Sequence, residues 1–344
     1  MRDTLEFTLS ELRSGRPVVH AVIVSSSGST PRSVGSRMAV ARDGSAKGSV
    51  GGGPAEALAH KAALAAHTSL SPSLLQLDLT GEQAAELGMI CGGRQEILIE
   101  HLPPSQDNVS LFQHLLDNWD AGRSSVLCTA LSRDRESTAI LSRTLGPDAL
   151  PPTLPEALRQ EAVKRAAASR LPSAVSERGV TVLVEPLSSP GTVFIVGAGH
   201  VGRATAAQCA FVGFRTLVLD DRGDFLNQER LPQASQLHLI QDYRSCFSSL
   251  EVRPDGFIVI LTRGHAHDRE VLAQALQTPA RYVGMIGSTR KREAISSSLR
   301  EQGVPETELD RVHCPIGLSI GADTPEEIAV SIVAELINER AKAP

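Results

Sequence analysis

The chain has 344 residues, enough for two domains, and its 41% hydrophobic and 21% charged residues are those of an ordinary soluble globular protein. A net charge of −5 without a basic run, with only 3% aromatic residues, argues against a nucleic-acid surface. No apolar run approaches the roughly eighteen residues of a membrane span, and Met1–Gly15 reads as a mixed amphipathic segment rather than a signal peptide, so no membrane partner is expected.

Five scattered cysteines, Cys91, Cys128, Cys209, Cys246 and Cys314, never fall in CxxC spacing. They predict neither a disulfide framework nor a structural zinc site, and point to the cytoplasm. In chain order, Val18–Ser25 reads as a strand, Ser36–Arg42 as a second, Ala55–Ala66 as an alanine-rich helix and Gln95–His101 as an alternating strand. Glu11–Ser25 resembles Asn118–Ser132: each is a helix end, a Gly-Arg turn and a strand. Leu145–Pro155 is a proline-rich loop followed by a helix. Leu187–Gly191 (LSSPG) is the expected boundary, with one domain over residues 1–188 and another over 189–344.

Glycine is concentrated in the first domain. Gly28 opens a Gly-Ser-Thr-Pro-Arg turn, and Gly51, Gly52 and Gly53 feed a helix. Exposed backbone N–H groups there would cradle phosphate or another oxyanion, with Arg32 as a charged fork; a flexible hairpin and linker would use the same residues. Cys91 is followed by Gly92 and Gly93, which makes it either an accessible thiol or a small buried hydrophobe.

The second domain opens on VFIVGAGHVG, an apolar strand running into a helix through Gly197, Gly199 and Gly202, with His200 inside the turn. Asp220 follows at the end of TLVLD, with Arg222 two residues on. Strand, GxGxxG turn, helix and strand-end acid predict a Rossmann-type domain: a phosphate on the helix N-terminus, and Asp220 accepting from ribose hydroxyls and repelling a 2′-phosphate. The predicted class is therefore α/β, a parallel sheet with helices on both faces preceded by a mixed α/β domain. After FIVILT, Arg263–Asp268 places His265 and Asp268 at a strand's carboxyl end, for hydrogen bonding, proton transfer or simply a helix cap. Gly287 and Ser288 lead into a helix whose first turn holds Arg290, Lys291 and Arg292; these cations oppose the helix dipole, and a bound anion is the simplest compensation, though solvated side chains pointing away would also serve. Thr324, Pro325 and Glu327 form a capping box before the last helix, whose Ile328, Ile332 and Leu336 face the core.

GSTPRSVGSRM, GSVGGGPAE, CGG, VGAGHVG, DDR, TRGHAHD, GMIGSTRK and PIGLSIGADTPEEIAVSIVAE occur in that order across nearly the whole chain, and together they closely resemble the XdhC/CoxI family of xanthine dehydrogenase accessory proteins. The resemblance implies an amino-terminal XdhC/CoxI domain and a Rossmann domain. It implies a chaperone without turnover of its own, which holds the molybdenum cofactor (molybdopterin) while a cysteine desulfurase sulfurates it, then delivers it to apo xanthine dehydrogenase or a related hydroxylase. On this reading Cys91 is a thiolate near the molybdenum or the incoming sulfur. Gly197, Gly199 and Gly202 meet a phosphate, Asp220 a ribose or pterin edge, and His265 and Asp268 face the ligand, with Arg32, Ser288 and Arg290 as anion contacts. A homodimer is also implied. Two other classes fit the residues: an NAD-dependent oxidoreductase binding NAD(P) with His265 as its acid or base, and a nucleotide-sensing module in which Cys91 is buried.

Overall fold

A computed structural model describes residues 1–78, 92–133, 137–188 and 190–342, the side chain of His265 excepted. The chain divides into two compact units, Met1–Ser188 and Ser189–Ala343.

In the first unit, α1 (Arg2–Arg13) precedes β1 (Val18–Ser27), β2 (Arg37–Ala41), β3 (Ala46–Gly48), α2 (Gly53–Ser69), β4 (Ser73–Asp78) and β5 (Arg94–Leu102). Then come α3 (Gln106–Asp120), β6 (Ser125–Arg133), β7 (Thr138–Leu145), α4 (Glu156–Ala168), β8 (Ser173–Glu177) and β9 (Val180–Leu187). The strands form two antiparallel sheets, β3-β2-β1-β5-β4 and β7-β6-β9-β8. Omitting β3, the second order is the first repeated element for element.

The Gly-Arg resemblance marks the start of each copy. Gly15 and Gly122 both take left-handed φ, +73° and +66°. Arg16 N–H donates to Glu11 O and Arg123 N–H to Asn118 O, at 3.0 and 2.7 Å. The strand register agrees as well. In β1, Val22 lies opposite Arg37 of β2 and His20 opposite Glu100 of β5. In β6, Thr129 lies opposite Arg143 of β7 and Leu127 opposite Glu185 of β9. Those four charged residues point between the sheets and pair crosswise, Arg37 with Glu185 and Arg143 with Glu100. Each copy thus lends its arginine to the other's glutamate. Val22, Val24 and Leu98 pack against Leu131 and Leu183 beside them.

Helices cover the outer faces. The small side chains Ala55, Ala59, Ala63 and Ala66 let α2 lie close on the first sheet, and Leu158 and Ala162 of α4 cover the second. Leu5, Leu9 and Leu12 of α1 pack with Phe112, Leu115 and Leu116 of α3.

The second unit runs β10 (Thr192–Val196), α5 (His200–Phe211), β11 (Arg215–Asp220), β12 (Gln236–Leu239), β13 (Phe257–Ile260), α6 (His265–Ala275), β14 (Tyr282–Met285), α7 (Thr289–Glu301), α8 (Glu306–Asp310), β15 (Val312–His313) and α9 (Pro325–Ala341). Its six strands are all parallel, in the order β12-β11-β10-β13-β14-β15. Apolar strands such as Phe257–Ile260 are buried throughout because helices cover both faces. α5 and α9 pack on one face and α6 and α7 on the other. The strand order reverses between β10 and β13, and the crevice outside the carboxyl ends there is the usual ligand position in such sheets. The capping box at Thr324 and Glu327 is present, and Ile332 and Leu336 are buried, with Ile328 packed against the same core.

Candidate functional site

Two sets of candidate residues lie on separate units. In the second unit, the turn after β10 is built by close backbone approach. A Cβ at Gly202 would stand 1.8 Å from Gly197 O, and one at Gly197 would stand 2.3 Å from Leu261 O. These two glycines let α5 pack on β10 and bring the loop after β13 against the turn. Gly199 is different: no atom lies within 4 Å of its Cβ position. Packing leaves space there, and His200 is exposed just beyond it at the amino end of α5.

Asp220 corrects a prediction. Its carboxylate is fully buried rather than presented to a ribose or pterin edge. It accepts from Ala198 N at 2.7 Å, Arg222 N at 3.0 Å, and Arg222 Nε and Nη2 at 2.8 and 2.9 Å. Burial alone would raise its pKa, but these donors, Arg222 first, hold it below the usual carboxylate range. Asp220 therefore fastens the glycine turn from beneath. The partly exposed acid is Asp221, which accepts from Tyr243 OH at 3.1 Å and Arg263 Nη2 at 2.6 Å. The Tyr243 hydroxyl pKa is raised, by burial first and then by Asp220 and Asp221.

The residues after β13 and β14 are tied together. Asp268 is buried, accepts from Thr262 Oγ1 at 2.7 Å and pairs with Lys291. Lys291 also donates to Ile286 O at 2.9 Å. Of the three first-turn cations of α7, Lys291 thus has an internal carboxylate as its compensation. Arg290 and Ser288 are exposed and, with Ala266, Arg269, Lys291 and Ser298, line a cleft of about 630 Å³. Gly287 lies against the Lys291 side chain. His265 opens α6.

In the first unit the structure brings together glycines that are far apart in sequence. A Cβ at Gly93 would meet Ser27 O at 2.5 Å and Ser29 O at 2.7 Å, and one at Gly28 would meet Gly92 O at 2.7 Å. Gly51 lies against Pro31 and the stem of Arg32, whose side chain is otherwise exposed. Gln95 anchors this meeting point from β5: its Nε2 donates to Arg32 O at 2.9 Å, while its buried Oε1 has no hydrogen-bond partner among the described residues. The Gly51–Gly53 turn is partly satisfied from within. Glu56 accepts from Ser49 and from Gly52 N, and Ser49 Oγ accepts from Gly51 N. Chiefly because of Ser49, the Glu56 pKa is lowered, so a carboxylate already occupies part of the predicted oxyanion cradle. Cys91 lies outside the described residues.

Composition and spacing had not marked several groups. Glu335, on the mainly apolar buried face of α9, accepts from Tyr282 OH at 2.5 Å and Gly317 N at 2.7 Å, with His313 Nδ1 at 3.1 Å. Burial raises the Glu335 pKa, but His313 and Tyr282 outweigh it, leaving a net lowering. This network holds the PIGLSIG loop. Burial also pushes the Cys128, Cys209 and Cys246 thiols up to about 12, so they are unreactive at neutral pH. Among the described residues no cluster of three or more His, Cys, Asp or Glu is placed to hold a metal, and no helix is long and apolar enough to cross a membrane.

Comparison with known proteins places both units. A family model described as the XdhC Rossmann domain matches residues 193–336, and one described as the XdhC and CoxI family matches residues 11–78. A protein of Bacillus subtilis described as a probable subunit of xanthine dehydrogenase is 24% identical over 329 residues, 96% of this chain and 95% of that protein. The uncharacterized protein YqeB from Escherichia coli is 38% identical over 150 residues, 44% of this chain but only 27% of that protein's length. A crystal structure of a xanthine dehydrogenase from Bacillus halodurans, 26% identical, superposes with a TM-score of 0.77 and covers 99% of this chain and 96% of that one.

Proposed function

Because the chain belongs to the XdhC and CoxI family, we propose that it is an accessory protein of xanthine dehydrogenase or a related molybdenum hydroxylase, which binds the molybdenum cofactor, holds it for sulfuration and hands it to the apo enzyme. The observation that carries this reading is the near full-length similarity to a probable subunit of xanthine dehydrogenase and to the solved xanthine dehydrogenase chain.

The residues of the first unit fit such a cargo. A pterin edge carries N–H donors, and Gln95 offers a buried acceptor without a partner among the described residues, where Gly28, Gly92 and Gly93 keep the backbone bare of side chains. Arg32, exposed beside Gly51, supplies a guanidinium for the cofactor's phosphate. Cys91, next to Gly92, is the thiol we place near the metal or the incoming sulfur. When bound, the cofactor supplies the molybdenum whose terminal ligand the client enzyme needs exchanged. The protein's part is to bind, orient and release it. A cysteine desulfurase is the expected sulfur source, the expected assembly is a homodimer, and the expected compartment is the cytoplasm.

The test is the molybdenum and pterin content of the full chain purified without oxygen from a host that makes the cofactor. Both should be present in the wild type and lowered in Cys91→Ala. A protein carrying neither, but retaining a nicotinamide dinucleotide reduced on addition of substrate, would be an oxidoreductase instead.

A further inference from the structure

We propose that the carboxyl end of β11 is a subsite for a phosphomonoester on the ribose of a nucleotide, so that the Rossmann unit takes a 2′-phosphorylated dinucleotide with Arg230 as the phosphate contact. The inference is independent of the accessory role.

It starts from Asp220. A strand-end acid that reads a ribose diol must present free oxygens, whereas both Asp220 oxygens are buried and already accept from Ala198 and Arg222. The charge that would repel a 2′-phosphate is neutralised from within. The remaining charges do not balance in the same way. Asp221 is held by Arg263 at 2.6 Å and lies 3.8 Å from Arg222. Among the described residues Arg230 has no carboxylate within ion-pair distance, and its buried Nε has no hydrogen-bond partner.

Arg230 and Arg222 nevertheless gather on one ring, their guanidinium carbons 4.6 and 3.9 Å from the centroid of Phe225. Phe225 lies in the segment after β11 and is itself partly buried against the sheet core. Arg222 is already committed to Asp220, so the uncompensated charge at this ring is that of Arg230, and a dianionic phosphate beside Phe225 would accept charge-assisted hydrogen bonds from it. Arginine beside this strand end is the group that accommodates a 2′-phosphate in such folds. The neighbouring turn has room for the diphosphate, since the space at Gly199 is open beside the amino end of α5.

The experiment is calorimetric titration of the full-length protein with NADP⁺, NAD⁺ and adenosine 2′,5′-bisphosphate. NADP⁺ should bind at least about tenfold tighter than NAD⁺, and the bisphosphate should compete with it. Arg230→Ala should bring NADP⁺ down to the NAD⁺ affinity without changing NAD⁺ binding. Arg230→Gln, which keeps most of the side chain on Phe225, should do the same if the alanine variant folds poorly. Equal or tighter binding of NAD⁺, a preference that survives both substitutions, or no binding of either dinucleotide would overturn the proposal.

Discussion

The two copies within the first unit share helix, turn, strand register and crossed ion pairs, yet differ in what joins the strands. In the second copy β8 passes to β9 through Arg178 and Gly179 alone. In the first, the corresponding strands β4 and β5 are joined by residues 79–93, which include Cys91, Gly92 and Gly93. The β1–β2 connection is likewise longer, residues 28–36 against 134–137, and carries Gly28 and Arg32. Shared features are those that build the sandwich, and the features found once are the candidates for binding. A repeat of this kind separates scaffold from site without reference to any relative.

The largest expected effect falls on what is shared. Glu185 and Arg37 are 1% and 4% exposed, so Glu185→Ala strands a buried guanidinium and should cost about 3–5 kcal/mol, read from urea unfolding of the full chain. Glu100→Ala, which strands Arg143, should cost a comparable amount. A large difference between the two would break the equivalence of the copies.

Next comes the glycine contact that is tighter in the first copy, since a Cβ at Gly179 would stand 3.3 Å from Arg133 O. Gly93→Ala forces a methyl group against Ser27 O and Ser29 O and should lower stability by about 1–3 kcal/mol. Gly179→Ala in the second copy, strained by its φ of +78°, should cost about 1 kcal/mol. Thermal melting of both variants ranks them.

A smaller, pH-dependent effect belongs to His20. It is buried, its Nε2 lies 2.8 Å from Thr8 Oγ1, and burial first, then Arg37 and Arg143, pull its pKa well below 6.5. A folded pKa below the unfolded one means that the unfolded chain takes up the proton first, so stability present above pH 6.5 is lost as the pH falls below it. His20→Asn should flatten melting temperature against pH in that range. Glu335 adds a separate loss below about pH 4.5, since its folded pKa is also lowered. The smallest effect is chemical: Cys128, Cys209 and Cys246 should stay unmodified by a thiol reagent at pH 8 in the native protein, as seen by mass spectrometry.

The Rossmann unit was legible because its glycines, flanking strands and helix caps are local signals with fixed spacing. Asp220 was misjudged because spacing puts an acid at a strand end but does not say which way it turns; Arg222, two residues on, was the available sign that it turns inward. The internal partner of Lys291 was not legible for a similar reason, since Asp268 lies on another helix. Glu335 left only the trace of one acid on a mainly apolar helical face. In the first unit the Gly-Arg turns hinted at two copies, but most of the equivalence lies in backbone register, which unlike side chains such as His20 and Leu127 can share.

The measurement that bears most directly on the account is activation of apo xanthine dehydrogenase by cofactor-loaded protein, comparing wild type, Gly93→Ala and Gly179→Ala after each variant is shown to be folded. Activation lost with Gly93→Ala and kept with Gly179→Ala is the predicted result; equal activation by all three, or none by the wild type, would contradict it.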